Sequence, residues 1–111
     1  MTSMRPKEFQ KIVDRQGGVC PHCGTTEGLV PHHRKNRKAG GSRRLEVPSN
    51  VLAICAQLNH LLEADSVTAA WGRERGWKLR NGQEPSETPY RDNTTNSWWL
   101  LDDNYGRTEV Q

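Results

Sequence analysis

Apolar positions in this chain come in short groups separated by polar turns. Phe9, Ile12 and Val13 recur at helical spacing and Pro6 suits a first turn, so a helix is expected from Pro6 to Gln16. Gly17-Gly18 should end it. A Cys-x-x-Cys turn, Cys20-Pro21-His22-Cys23-Gly24, comes next. Gly28 to His33 reads as extended, because Pro31 turns its predecessor away from helix. Arg34 to Arg44 reads as a basic loop turning at Gly40-Gly41, with Leu45-Glu46-Val47 as the returning strand. Pro48-Ser49-Asn50 is a turn, Val51 to Ile54 leads to Cys55, and a helix is expected from about Leu58 to Ala64. Ser66 suits the N-cap of a further helix, Val67 to Arg75, closed by Gly76. Trp77-Lys78-Leu79 alternates, and Asn81-Gly82 signals a turn. Gln83 to Asn96 reads as loop, Ser97 to Leu101 as the last strand, and the remaining residues as frayed.

Composition narrows this picture. The chain has 111 residues, 32% of them hydrophobic, with a mean hydropathy of -0.92. That is little apolar material for one domain, and a metal staple would help it fold. The four tryptophans must supply much of the buried area, as core and lid packing. No apolar run is long enough for a membrane helix, and the first residues lack the apolar stretch of a signal peptide, so a cytoplasmic protein is expected. The three cysteines are then thiols or metal ligands sooner than disulfides. The net charge of +3 hides an asymmetry: residues 1–44 carry ten Lys/Arg against three Asp/Glu, residues 45–111 six against ten. A basic front half suggests a polyanion such as nucleic acid, although a single charge run is more often a solvated face.

Three sets of residues carry candidate chemistry. His32 and His33 are neighbours in an extended segment, so they point to opposite faces and cannot share one task. Asn59 and Glu63 stand one helical turn apart and offer oxygen donors suited to a hard divalent cation. If His32 faces them, three groups converge on one ion while His33 stays free as a base. Cys20, Cys23 and Cys55 form three quarters of a zinc knuckle. Leu58 occupies the place of the fourth cysteine, so His22 or His60 would have to substitute, or the site is weak or empty. The plainer alternative is that the three thiols pack in the core.

The order Cys20-x-x-Cys23, His32-His33-Arg34, Gly40-Gly41, Pro48-Ser49-Asn50 and Cys55-x-x-x-Asn59-x-x-x-Glu63 resembles the HNH endonucleases over roughly residues 15–65. The tail, with Glu74-Arg75-Gly76-Trp77 and Trp98-Trp99-Leu100-Leu101-Asp102-Asp103, is similar to small HNH proteins of phages that infect actinobacteria. The resemblance implies an α+β fold, a small ββα-metal finger with an N-terminal helix, a zinc knuckle and a C-terminal helix and strand extension. The finger would occupy residues 1–66 and the extension residues 67–111. His32, Asn59 and Glu63 would hold one divalent metal, His33 would be the general base, and Asn50 would orient it and shape the loop. Cys20, Cys23 and Cys55 would hold a structural zinc.

Asn59 stands where the family has its last histidine, which favours Mg²⁺ or Mn²⁺ over Ni²⁺ or Zn²⁺. Arg34, Lys35, Arg37, Lys38, Arg43 and Arg44 would bind the backbone of double-stranded DNA, with weak sequence preference. The family context implies work beside a phage terminase in genome packaging, in the cytoplasm of a bacterial host. Two rivals remain: a non-catalytic DNA-binding zinc module, and a packaging adaptor whose nuclease site has decayed.

Overall fold

The computed structural model describes residues 4–35 and 46–110, and they form an α+β fold of three helices and two small antiparallel sheets. Helix α1 spans Pro6–Arg15. Glu8 reaches back to the Arg5 N–H at 3.1 Å, Pro6 fills the first turn, and the two glycines that follow take positive φ. Strand β1, Leu29–His33, pairs with β2, Val51–Cys55, in a register that sets His32 opposite Leu52 and His33 opposite Val51.

The unbroken apolar run of β2 has a simple cause: both its faces are covered. Val51 and Ala53 meet Ile12, Phe9 and Val13 of α1, while Leu52 and Ile54 meet Leu58, Leu62, Trp77, Tyr90 and Leu101. Its outer edge is covered too. The Gln16 side chain exchanges both hydrogen bonds with the Ala53 backbone, at 2.8 and 2.9 Å, as a neighbouring strand would. Arg15 donates to the carbonyls of Pro48 and Val51.

Helix α2, Ala56–Ala64, follows β2 without a gap, and α3, Ser66–Glu74, follows α2. Asp65, and not Ser66, caps α3, accepting from the Thr68 N–H at 2.9 Å and its hydroxyl at 2.6 Å. Gly72 lets α3 press on α2, since a Cβ there would lie 2.4 Å from Leu62. The second sheet, β3 Tyr90–Asp92, β4 Ser97–Leu101 and β5 Arg107–Val110, closes the chain.

Four expectations about strands and loops need correction. The returning strand is β2 and not Leu45–Val47: Glu46 and Val47 lie in a bend, and Leu45 lies outside the described residues. Trp77-Lys78-Leu79 forms no strand: the chain bends at Trp77 and Lys78, whose N–H groups turn back to the Gly72 carbonyl near the end of α3. The segment from Gln83 to Asn96 is not all loop but holds a 3₁₀ turn, Pro85–Glu87, and strand β3. The end of the chain pairs with β4 as β5. In both missed strands the ladder partner is β4, which local pattern does not reveal.

Arg34 is the largest correction. It was expected on DNA, yet it is 1% exposed. Its guanidinium donates to four carbonyls: Gly76 at 2.8 Å, Ser49 at 3.0 Å, Pro85 at 2.9 Å and Thr88 at 2.6 Å. The remainder of the backbone agrees, with the Arg34 N–H on the Asn50 carbonyl and its carbonyl on the Leu79 N–H. Burial, aided by repulsion from Arg15, pushes its pKa down to about 9, so it stays a cation at neutral pH. Arg34→Met should leave four buried acceptors unpaired and lower stability by about 3–5 kcal/mol in urea unfolding. A loss below about 1 kcal/mol would mean that water replaces the guanidinium at little cost.

Candidate active site and metal centre

The neighbouring histidines of β1 do face apart. His32 is 3% exposed and turns toward α2. Its Nε2 lies 2.7 Å from the Trp77 carbonyl, which can only accept, so Nε2 carries the proton. Nδ1 then brings a lone pair to within 3.1 Å of Asn59 Oδ1. Two lone pairs at that separation suit a shared cation, because neighbouring ligands of an octahedral ion with ~2.1 Å bonds lie about 3.0 Å apart. With the amide turned over, Asn59 donates to Nδ1 instead, which satisfies the site without a cation. A ring N–H held by a backbone carbonyl is also the usual support of a metal-binding imidazole. Burial holds the His32 pKa below its ordinary value, against the pull of the Trp77 carbonyl, Asn59 and Glu63, and so favours the neutral ring that can bind a cation.

Glu63 lies on the same helix face as Asn59 but is exposed, and its carboxylate meets Lys78 Nζ at 3.1 Å. The lysine was not anticipated. Its ammonium acts on His32 in the opposite sense to Glu63, lowering the histidine's pKa. The carboxylate that would complete a cation site therefore already has a cationic neighbour.

His33 points the other way. Its Nε2 lies 3.1 Å from the Glu46 carboxylate, with the two side chains 19% and 14% exposed. A carboxylate on Nε2–H leaves Nδ1 as the proton-accepting atom. Glu46 was missed by sequence reasoning, which placed it in a strand; thirteen positions from His33, it carries no motif that would link the two.

Asn50 is fully buried and spans the two ends of the loop. Its Oδ1 accepts from the Lys35 N–H at 2.9 Å and its Nδ2 donates to the Lys35 carbonyl at 3.1 Å. The residues after His33 are thus fixed by the residue before β2. Lys35 reaches the Gln83 carbonyl at 3.2 Å. Arg37, Lys38, Arg43 and Arg44 lie outside the described residues.

The thiols do converge. Cys20, Cys23 and Cys55 place their sulfurs within 4.8 Å of one another, from buried, exposed and half-buried positions. A tetrahedral zinc with ~2.3 Å bonds would hold its sulfurs about 3.8 Å apart, so the set fits a thiophilic ion with little movement. Gly24, with φ +77, closes the turn by donating to the Cys20 carbonyl at 2.9 Å. Burial pushes the Cys20 thiol up to about 11, against backbone hydrogen bonds from Cys23, Cys55 and His22. Those bonds favour a thiolate once a cation is present. Neither His22 nor His60 joins the group, which corrects the expected substitutes for the fourth ligand. His22 packs its ring on Trp71 and Trp77, and His60 is exposed.

His32 and His22 both have pKa values held down, chiefly by burial. The unfolded chain therefore binds protons first as pH falls below the ordinary 6.5, and stability declines there. In EDTA the urea midpoint should be lower at pH 5 than at pH 7.5, and His32→Asn should flatten part of that slope. A slope unchanged by the substitution would place the titration elsewhere. Compared with known proteins, the chain matches no family model, no curated protein and no solved structure.

Proposed function

We propose that the protein is a metal-dependent HNH-type endonuclease that hydrolyses DNA phosphodiester bonds with low sequence specificity. The observation that carries this reading is the division of labour on β1. His32 turns a lone pair toward Asn59, one turn from Glu63, while His33 turns its ring toward a carboxylate on the opposite face.

In this reading His33 Nδ1 takes a proton from water, whose oxygen attacks phosphorus as the bond to the 3′ oxygen breaks. Glu46 holds the Nε2–H and steadies the imidazolium that forms, as a carboxylate does behind a catalytic histidine. Asn50 keeps the chain after His33 in place. A divalent ion held by His32, Asn59 and Glu63, Mg²⁺ or Mn²⁺ by its donors, would supply charge stabilisation for the leaving oxygen.

Lys35, Arg37, Lys38, Arg43 and Arg44 would bind the DNA backbone, which positions the duplex without reading its sequence. Cys20, Cys23 and Cys55 would hold zinc as a staple for a chain poor in apolar residues. The wider setting that goes with this reading is phage genome processing beside a terminase, in the host cytoplasm.

One observation favours a second reading. Lys78 already pairs with Glu63, which suits a finger that binds DNA as a packaging adaptor without cutting it. Supercoiled plasmid separates the two. With Mg²⁺, Mn²⁺ or Ni²⁺ the wild type should nick it and EDTA should stop the reaction. His33→Ala should slow nicking by about 100-fold or more, and Glu46→Gln by about tenfold. Salt-sensitive DNA binding without cleavage under any metal would favour a non-cutting DNA-binding module or packaging adaptor instead.

A further inference from the structure

The thiol cluster has three members where a closed zinc site has four. The place of the fourth belongs to Leu58. Its backbone N–H donates to Cys55 Sγ at 3.4 Å, the bond that the last residue of a Cys-x-x-Cys turn makes, but its side chain is apolar and 2% exposed. Among the described residues no histidine, aspartate or glutamate joins the three sulfurs. Beside them runs a cleft of about 180 Å³, walled by His22, Cys23, Cys55, Leu58, Leu61 and Trp71. Cys23 is exposed, so the cluster can be approached from solvent.

We propose that Cys20, Cys23 and Cys55 form an open metal centre whose fourth position takes an exogenous neutral nitrogen donor, an imidazole-type ring, through this cleft. The inference rests on the zinc in the reading above and not on the nuclease. Charge selects the donor. A divalent ion with three thiolates carries one net negative charge, and an anionic fourth donor would double it in a cleft lined by Leu58, Leu61 and Trp71, with Gln57 and Thr68 as uncharged polar groups and a cation nearby, the Arg75 guanidinium 4.6 Å from the Trp71 ring. A neutral donor adds none. Shape agrees, because Trp71 and His22 offer ring surfaces to a planar ligand.

The test uses the full chain with Co²⁺ alone, followed by absorption. Thiolate ligands give a sulfur-to-cobalt charge-transfer band, which the oxygen and nitrogen donors of the His32 site do not, and Cys23→Ser should weaken it. Imidazole should shift the visible cobalt bands saturably, whereas azide or 2-mercaptoethanol should need concentrations about tenfold higher. Leu58→Cys should keep the charge-transfer band and lose the response to imidazole. Leu58→Ala, which also shortens the side chain but adds no thiol, should keep it.

Absence of the band, or a wild-type spectrum indifferent to all three additives, overturns the open centre. An equal or stronger response to azide or to the thiol overturns the neutral donor. If Leu58→Cys fails to fold, the wild type and Leu58→Ala still decide. An imidazole-sensitive cobalt spectrum in a protein that cuts no DNA leaves the centre standing while the nuclease reading falls, and cleavage by a protein without the band does the reverse.

Discussion

The guanidinium of Arg34 is the one charge around which the rest of the molecule closes. It directly follows His32 and His33, and it binds carbonyls of Ser49, Gly76, Pro85 and Thr88. One of these precedes β2 and three belong to the C-terminal part of the chain. A buried cation bound only to carbonyls loses its hydration and gains no counter-ion, so its stability depends on every hydrogen bond being made. Gly76 is fixed by the same demand. Its φ is +72, and a Cβ would lie 2.0 Å from the Pro89 carbonyl oxygen, so only glycine can bring its own carbonyl to Arg34.

This constraint sets the geometry of both histidines. Arg34 and Asn50 hold the end of β1 against the start of β2 from two sides, through the Arg34 N–H to Asn50 bond and the two bonds to Lys35. With the strand so held, alternation sends His32 inward to Trp77 and Asn59 and His33 outward to Glu46. Trp77 contributes through its backbone carbonyl to His32 while its ring fills the core and its indole N–H reaches the Arg91 carbonyl at 2.8 Å. The extension thus supplies part of the setting of His32, and residues 67–111 do not merely cover residues 1–66.

The same economy governs the thiols. Cys55 ends β2, caps α2 through its sulfur and carries the third member of the cluster. The Cys-x-x-Cys turn is tied in turn to the second sheet, since the Asn93 N–H and side chain donate to the carbonyls of Pro21 and His22. A cation among the sulfurs would therefore join the turn, β2, α2 and the β3–β4 connection at one point. In a chain with so few aliphatic side chains such a junction does the work of additional core.

Local pattern was enough for much of this. Helix α1, strands β1 and β4, the turn at Pro48–Asn50 and the two later helices follow from periodicity, proline and glycine, which act within a few residues, whereas the same pattern displaces β2 to Leu45–Val47. Alternation alone also settled that His32 and His33 serve different faces, and spacing placed Asn59 and Glu63 together. What sequence could not decide were the long-range partners. Arg34 reads as one more cation in a basic run, and only the approach of Gly76, Pro85 and Thr88 makes it interior. Glu46 becomes the neighbour of His33, and Lys78 the partner of Glu63, through packing across 13 and 15 positions. Strands β3 and β5 exist because β4 offers them a ladder. Such pairings depend on which surfaces the whole chain can bury at once, and no window of a few residues carries that information.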